Sequence, residues 1–368
     1  MIVPLVVISL LWTGLHGYVI SRLLSIPWIA VHIPAGILIP VMIVLGASYI
    51  VSRVLEHYSI DGLAHALEVI GAYWVGWFFL LFSALLLVDV CTGFGLWLRP
   101  QLPLLRTAAL AVAALLTITA LVQARRAPVV SEYEVALPGL PAAADGTVAV
   151  VASDMHMGAI LGRDWARARA RQFTALSPDL LLLVGDIFEG DEASYGAWLP
   201  VLQEFRARHG VFVVTGNHEL YAGGAKIIDL FRRAGFHVLR DESVQPIPGV
   251  VLSGVDDVAF RGRAAHAEIL ERVLRTRPAG ASILLSHTPA EVPCAAAAGA
   301  ELMLSGHTHE GQIWPFTYLV KLAFPVISGR YRVQQMTAIV CRGTGTWGPR
   351  MRLFKRSELL RITLRASA

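Results

Sequence analysis

The first third of the chain carries almost no charge, and this feature constrains the fold more than any other. Residues 1–128 contain only ten charged side chains, and the first lysine is Lys226. Four long apolar stretches lie at residues 2–21, 28–52, 69–88 and 107–124. A helix needs about 20 predominantly apolar residues to cross a bilayer. Residues 1–127 are therefore predicted to form a transmembrane helical region of about four spans.

Two alternatives exist for these stretches. A secretory signal peptide would explain the first one, but no basic segment precedes it and three more apolar stretches follow. A soluble helical bundle would need a polar face on each helix, which uncharged runs of this length do not supply. Arginines lie at the ends of the stretches, as interfacial charges do: Arg22, Arg53, Arg99, Arg125 and Arg126.

A few polar side chains lie in or near the predicted spans: His16, His32, Glu68 and Asp89. An ionisable group inside a membrane can belong to a proton or ion pathway. The alternative is that Glu68 and Asp89 lie at span edges and reach the interface. We expect the second, because a transport pathway would need paired charges within the spans.

The remaining composition argues against two classes of protein. The formal net charge is +4 without any block of Lys and Arg, so nucleic-acid binding is not expected. The three cysteines, Cys91, Cys294 and Cys341, are odd in number and lack a metal-type spacing. No disulfide framework is therefore indicated.

Strand-like and helix-like segments alternate after residue 128. Residues 128–146 are predicted to be a linker and an entering strand. Apolar runs predict strands at 147–153, 180–184, 211–214, 250–254, 282–286 and 301–305, and helices at 163–176, 192–208, 225–234 and 264–275. This alternation is typical of an α/β domain, here residues 147–368. Three further predicted strands, at 337–341, 351–354 and 359–364, would complete a second sheet.

Five of the predicted strands end in side chains that commonly bind metals. The clusters are Asp154-Met155-His156, Gly185-Asp186, Gly216-Asn217-His218-Glu219, His287 before Pro289, and Gly306-His307-Thr308-His309. Open α/β sheets bind ligands at the carboxyl ends of their strands, so these clusters are expected to form one shared site. In the Asp-x-His and His-x-His pairs, the two side chains would point to the same face of an extended backbone.

The donor set contains imidazole, carboxylate and amide groups and no thiolate. Such a set suits Mn, Fe, Zn or Co better than Cu or an iron–sulfur cluster. A carboxylate such as Asp186 can bridge two metals with its two oxygens. We expect two divalent metal ions, with Mn²⁺ as the first choice and Fe, Zn or Co as alternatives.

The order of these motifs resembles that of the calcineurin-like metallophosphoesterase superfamily. The motifs run from Ser153 to His309, and the similarity of the surrounding domain extends to about residue 366. Residues 305–312 resemble the Ser-Gly-His-Thr-His-x-Gly-Gln motif of a bacterial, membrane-anchored branch. Residues 342–345 and 349–352 match its Arg-Gly-x-Gly and Pro-x-Arg elements. The resemblance implies a four-layer α/β/β/α sandwich preceded by the membrane helices.

The resemblance also implies a role for each residue. One metal would be bound by Asp154, His156, Asp186 and His309, and the other by Asp186, Asn217, His287 and His307. His218 would bind no metal and, as an imidazolium, would protonate the leaving oxygen. Two residues depart from the family pattern. Glu189 replaces Asp or Asn at a position that is not a ligand, and Glu310 replaces Gly, where a carboxylate could repel a phosphate.

Residues 312–325 are unusually apolar for a soluble surface. Packing in the core is one interpretation of this stretch. The other is a lipid-facing lip beside the metals, because Trp and Tyr favour the membrane interface.

The sequence therefore predicts a membrane-anchored, metal-dependent phosphoesterase. We expect it to hydrolyse a phosphodiester or pyrophosphate bond, including that of a lipid-linked substrate, by attack of a metal-bridging hydroxide. A phosphomonoesterase and a catalytically retired membrane scaffold are the alternatives. The expected location is a bacterial inner or plasma membrane, which the chain crosses several times. Its catalytic domain is expected on the cytoplasmic side, although three arginines fall on each side of a four-span arrangement.

Overall fold

The computed structural model describes residues 2–58, 61–189, 196–221 and 224–367. The chain divides into two compact units. The first, here called the helical unit, consists of Met1–Arg125 and Gly348–Leu353. The second, the sheet unit, consists of Arg126–Trp347 and Phe354–Ala368.

The helical unit is built from apolar helices, as the sequence predicts. They are α1 (Ile2–Leu24), α2 (Pro27–His32), α3 (Ala35–His57), α4 (Asp61–Cys91) and α5 (Leu102–Arg125). Within the described residues, α1, α3, α4 and α5 are long and apolar enough to cross a membrane. The second apolar stretch is divided between α2 and α3 because Ile33, which precedes Pro34, has an extended backbone. The predicted four helices are confirmed.

The acidic groups of the spans are buried and paired. Asp89 is fully buried and accepts hydrogen bonds from Tyr18 Oη at 2.9 Å, Arg22 Nε at 2.5 Å and Arg106 Nη2 at 3.0 Å. Glu68 is 7% exposed and accepts a bond of 3.0 Å from Arg53 Nη2. Both carboxylates are therefore paired with arginines within the helical unit. The arginines compensate their burial.

The short segment Gly348–Leu353 packs within the helical unit. Arg352 N donates to Ala120 O of α5 at 3.0 Å, and Met351, Arg352 and Leu353 are buried. A Cβ atom on Gly76 of α4 would lie 2.6 Å from Met351 Sδ, so a larger residue there would require the Met351 side chain to move. The strand predicted at 351–354 is wrong, because Met351, Arg352 and Leu353 pack within the helical unit and none of the four residues extends a sheet.

Twelve strands occur in the described part of the sheet unit. They are β1 (Val129–Leu137), β2 (Val148–Ala152), β3 (Leu180–Val184), β4 (Val211–Val214), β5 (His237–Val238), β6 (Glu242–Ile247), β7 (Val250–Gly254), β8 (Ala281–Leu285), β9 (Leu302–Ser305), β10 (Gly329–Val333), β11 (Met336–Val340) and β12 (Glu358–Ala366). One sheet has the order β1-β12-β2-β3-β4-β5 and the other β10-β11-β9-β8-β7-β6.

Helices cover the outer face of each sheet. The α-helices of this unit are α6 (Arg163–Ala175), α7 (Leu199–Leu202), α8 (Asn217–Tyr221), α9 (Ala225–Arg233), α10 (Arg263–Arg275), α11 (Val292–Ala297) and α12 (Phe316–Ala323). Of these, α6, α7 and α9 pack on the first sheet, and α10 and α11 pack on the second. A central core joins the two sheets through side chains such as Leu182 and Leu304. Separate cores lie under α6 and α9 on the first sheet and under α10 on the second. The predicted four-layer α/β/β/α class is confirmed.

Two predicted elements differ from the structure. The last strand, predicted to complete the second sheet, is β12, which pairs with β1 and β2 in the first sheet. Of the helix predicted at 192–208, residues 199–202 are α-helical among those described. Further along the chain, Arg208 N and His209 N donate to Pro178 O and Asp179 O, which lie ahead of β3.

Candidate metal centre

The predicted ligands lie at the carboxyl ends of five strands drawn from both sheets. Asp154 and Asp186 follow β2 and β3 of the first sheet, and Asn217 follows β4. His287 and His307 follow β8 and β9 of the second sheet. Strands that are parallel within each sheet bring their loops to one edge, which brings these side chains together.

The structure groups the histidines and aspartates into two clusters. Asp154, His156 and His309 offer ligand atoms within 4.8 Å of one another, and so do Asp186, His287 and His307. His309 Nε2 lies 3.3 Å from Asp154 Oδ1, and His287 Nε2 lies 3.0 Å from Asp186 Oδ2. The two clusters are joined through His156 Nε2, which lies 3.9 Å from Asp186 Oδ2. Each cluster is part of one of the two predicted ligand sets.

Asn217 is the amide side chain predicted to be a ligand of this centre. Its Oδ1 atom is buried and has no hydrogen-bond partner among the described residues. Buried polar atoms in folded proteins normally have a partner, so an orphaned oxygen beside Asp186 and the histidines indicates a missing one. A divalent cation is such a partner, and the donor set fits one.

The backbone of the centre is strained at the predicted ligands. Five of the seven have a left-handed φ: Asp154 (53°), His156 (44°), Asp186 (51°), His307 (69°) and His309 (49°). Non-glycine residues seldom adopt this conformation, and such residues cluster at functional sites. The strained turns aim side chains from sharply bent loops into the same space.

Two glycines permit the close approach of these loops. A Cβ atom on Gly216 would lie 2.2 Å from Asp186 Oδ1. A Cβ atom on Gly306 would lie 1.7 Å from Ser153 Oγ and 2.4 Å from Asp154 Oδ2. Any side chain at either position would displace a carboxylate of the centre.

The environment keeps the two aspartates ionised. Burial acts to raise the pKa of Asp186, but His287 and His156 outweigh it and lower that pKa far below its usual range. Burial acts in the same way on Asp154, and His309 reverses it, so that this pKa is also lowered. Both side chains are therefore carboxylates at neutral pH, the form in which they bind cations.

Glu219 is a structural residue of the site for which the sequence predicts no role. It is fully buried, and its carboxylate accepts four backbone N–H bonds, from Asp186, Ile187, Phe188 and Gly216, at 2.7–3.2 Å. Burial and the Asp186 carboxylate raise the pKa of Glu219 to about 7. Its position as the last residue of the Gly-Asn-His-Glu motif could have drawn attention to it.

His218 and Glu189 lie beside the first cluster. The ligand atoms of His156, Glu189 and His218 lie within 4.8 Å of one another, and Glu189 Oε2 is 3.6 Å from His156 Nδ1. The sequence predicts that Glu189 is not a metal ligand. In the structure, its carboxylate lies beside the Nδ1 edge of the His156 ring. Burial lowers the pKa of His218, although the Asp186 carboxylate acts to raise it. The lowered pKa favours the neutral imidazole.

The carboxylate of Glu310 is countered by two basic side chains. Its oxygens lie 3.5 Å from Arg342 Nη1 and 3.8 Å from Lys355 Nζ. Arg342 in turn donates to Glu358 at 2.6 Å. The expected repulsion of a phosphate by Glu310 is therefore reduced by these cations.

The apolar stretch after His309 is not packed in the core. Every residue of α12 is at least partly exposed, and Leu322 is 85% exposed. The core-packing interpretation is wrong for this helix, although Ile313, Val326 and Ile327 beside it are buried.

A four-layer α/β/β/α sandwich with Asp and His clusters at its strand ends defines a metal-dependent hydrolase. Residues 148–311 match the family model described as calcineurin-like phosphoesterase. The chain is 33% identical over 221 residues to an uncharacterized metallophosphoesterase of Aquifex aeolicus, covering 58% of this chain and 83% of that protein. The chain therefore belongs to the calcineurin-like phosphoesterase family, whose members are metal-dependent phosphoesterases.

Two further relatives are longer than the region they share with this chain. An uncharacterized metallophosphoesterase of Campylobacter jejuni is 31% identical over 245 residues, which cover 66% of this chain and 64% of the relative. A transmembrane protein with metallophosphoesterase domain from Danio rerio is 31% identical over 270 residues, which cover 70% and 62%. The chain thus spans a little under two thirds of these two relatives.

Proposed function

We propose that the protein is a membrane-anchored two-metal phosphoesterase that hydrolyses a phosphodiester or pyrophosphate bond. Membership of the family supports the reaction class. The observation that carries the proposal is the pair of clusters joined through His156 and Asp186, with the orphaned Asn217 Oδ1 at its side. Mn²⁺ is the proposed metal, with Fe, Zn or Co as alternatives, because the donors are imidazole, carboxylate and amide.

The ligand assignment is part of this proposal. Asp154, His156, Asp186 and His309 would hold one ion, and Asp186, Asn217, His287 and His307 the other. Bound there, two divalent ions would supply Lewis-acid activation of a water molecule and of the phosphoryl oxygens. The protein's own residues hold this geometry, because Glu219 fixes the loops after β3 and β4 through backbone bonds.

His218 is proposed to donate the proton to the leaving oxygen. Its backbone N–H is held by Asp186 Oδ1 at 2.9 Å, and its ring lies edge-on to His156 at 4.7 Å. The lowered pKa of the free ring favours its neutral form. A bound phosphate brings negative charge beside the imidazole, and an opposite charge within about 4–6 Å favours protonation.

The choice of a diester or anhydride can be tested directly. The full chain in nanodiscs with Mn²⁺ would be assayed on bis-aryl and mono-aryl phosphates, and we expect the diester to give the higher kcat/KM. A preference for the monoester would replace this choice by a phosphomonoesterase. If activity persists unchanged in Asp186→Ala, the activity comes from a contaminating enzyme. If the wild-type chain binds no metal and is inactive, the protein is the catalytically retired scaffold.

The sheet unit is proposed to face the cytoplasm of a bacterial cell. The sheet unit holds all lysines of the chain, while the arginines near the spans are balanced between the two sides. A Glu268→Cys substitution on the exposed face of α10 would be labelled with a membrane-impermeant maleimide. Labelling in intact spheroplasts would place the unit outside instead.

A further inference from the structure

The exposed apolar side chains of the sheet unit are concentrated in one place. In the described part of this unit, the large apolar residues that are exposed are Trp314, Phe316, Tyr318, Leu319, Leu322, Trp347 and Phe354. We call this set the apolar lip. Soluble surfaces carry single exposed apolar residues, whereas a contiguous group marks an interaction site.

The lip is one surface although it comes from two segments. The rings of Trp314 and Phe354 lie 5.8 Å apart. Gln312 joins the segments by two bonds to the backbone of Trp347, with Nε2 donating to the carbonyl and Oε1 accepting from the amide, both at 2.9 Å. Residues on and next to α12 are thereby held beside residues 347 and 354.

The lip, through Trp347, and Phe324 beside it each contact a histidine of the metal centre. Phe324, which follows α12, packs edge-on against the predicted ligand His307 at 5.3 Å. Trp347 lies edge-on to His218 at 6.4 Å. The helix is also fixed to the turn after His309, because Thr317 Oγ1 donates to Glu310 O at 2.8 Å. Whatever covers the lip lies next to the reacting groups.

Two residues of the lip are covalently connected to the helical unit. Trp347 and Phe354 immediately flank Gly348–Leu353, the segment that packs within the helical unit. That segment bonds to Ala120, which lies five residues before α5 ends at Arg125. Two residues of the lip are therefore joined directly to a segment held near the end of a candidate span.

The chemistry of the lip also suits a bilayer interface. Trp and Tyr are enriched where headgroups meet acyl chains, and aliphatic side chains such as Leu319 and Leu322 can enter the acyl boundary. Lys321 and Lys355 are exposed within the same two segments. Basic side chains at the rim of an apolar face attract anionic lipid headgroups.

We propose that the apolar lip lies in the headgroup interface of the bilayer and opens the metal centre toward it. The proposal that the lip docks on the bilayer is supported by the exposure of its side chains and by its connection to the helical unit. Its consequence for the substrate rests on the proposed function. A phosphate ester whose apolar part stays in the membrane would reach His218 and the metal ligands from the lipid side, without leaving the bilayer.

Docking can be measured without any assay of catalysis. Leu322→Cys would be labelled with a fluorophore in a chain carrying Cys91→Ser and Cys294→Ser, since Cys341 is buried. The protein would be placed in nanodiscs of phosphatidylcholine and phosphatidylglycerol, with and without doxyl-labelled lipid. Glu268→Cys on α10 is the matched exposed control. Quenching at position 322 is expected to exceed that at 268 by about threefold or more, because an interfacial helix lies about 5–10 Å into the headgroup boundary.

Equal quenching at the two positions overturns the proposal. Disulfide formation between two copies through Leu322→Cys, without quenching by lipid, also overturns it and assigns the lip to a second copy of the chain. In both labelled chains the substituted residues are exposed, so loss of folding is not expected to obscure the result.

Access of the substrate from the lipid side is tested by a separate measurement. Leu319→Glu with Leu322→Glu places charge on the lip, and the ratio of kcat/KM for a phosphate ester embedded in the nanodisc to that for a water-soluble aryl ester would be measured. This ratio is expected to fall about tenfold, as acidic groups are repelled from an anionic surface. An unchanged ratio overturns lipid-side access. Absence of hydrolysis of both esters by the wild-type chain would refute the proposed function and leave the quenching result valid.

Discussion

The indole of Trp347 stands edge-on to the imidazole of His218, with ring centroids 6.4 Å apart and planes inclined at 71°. His218 also meets His156 edge-on, at 4.7 Å. The proposed acid is thus held between a predicted metal ligand and a residue of the apolar lip. The orientation of His218 therefore depends on Trp347, which is itself 51% exposed.

Trp347→Ala is expected to loosen His218 while the loop stays in place. The Gln312 bonds reach only backbone atoms of residue 347, so they survive the substitution. An aromatic pair contributes about 0.5–1.5 kcal/mol, which corresponds to a fall in kcat of roughly two- to tenfold. Steady-state kinetics on an aryl diester would measure it. Trp347→Phe keeps an aromatic edge and should retain most of the activity, whereas equal losses in both variants would argue against the contact.

Asn217→Ala is expected to weaken the binding of one metal. The substitution removes the orphaned Oδ1 but leaves the Asp154, His156 and His309 cluster complete. Elemental analysis of the Mn²⁺-loaded protein should fall from about two ions per chain to about one, as a two-metal site predicts. Lys226→Ala, on the sheet unit, serves as a control for handling losses. Full occupancy in Asn217→Ala would exclude this amide as a ligand.

His266 is expected to make the sheet unit sensitive to acid. It is 3% exposed, and neither ring nitrogen has a hydrogen-bond partner among the described residues. Burial lowers its pKa, against the opposing effect of Asp257. The unfolded chain therefore binds a proton more readily below about pH 6.5, and stability falls as pH falls, by up to about 1.4 kcal/mol per pH unit.

Two histidine variants test the predicted loss of stability at low pH. His266→Leu removes the buried base, so its midpoint of thermal unfolding should change less between about pH 7.5 and 5.5 than that of the wild-type chain. His237→Leu changes an exposed histidine and is the control. Parallel pH curves for His266→Leu and the wild type would show that other groups cause the acid sensitivity.

Asp89→Ala is expected to destabilise the helical unit. The substitution leaves Arg22 and the buried Arg106 without their shared carboxylate. Removing one partner of a buried ion pair costs about 3–5 kcal/mol. The thermal midpoint of the full chain in detergent would report the loss. Combining Asp89→Leu with Arg106→Met removes both charges of the inner pair and should cost less than Asp89→Ala alone; a larger cost would contradict the ion-pair explanation.

Much of the centre could be predicted because its information is local. The apolar runs of β3 and β4 are uninterrupted and end at Gly-Asp and Gly-Asn-His, so both the strand and the polar residue that follows it are visible in the sequence. The strands at 180–184 and 211–214 agree with the structure to the residue. The grouping of side chains at one edge then follows from parallel pairing.

The errors arise where distant partners decide the structure. Residues 351–354 were predicted to be a strand, but Met351 packs against α4 and Arg352 bonds to α5. The apolar residues of α12 left a core helix and an exposed lip as alternatives, and only the three-dimensional structure decides between them. The pairing of Asp89 with Arg22 and Arg106 joins α4 to α1 and α5, across 67 and 17 residues of sequence.

The packing of Gly348–Leu353 in the helical unit has a practical consequence for separating the two parts of this protein. A truncation at residue 126 would remove the helices but keep this segment in the remaining polypeptide. Met351, Arg352 and Leu353, now shielded, would then meet water in the middle of an otherwise intact domain. Such a fragment is expected to aggregate. A soluble version would need residues Gly348–Leu353 replaced by a hydrophilic loop.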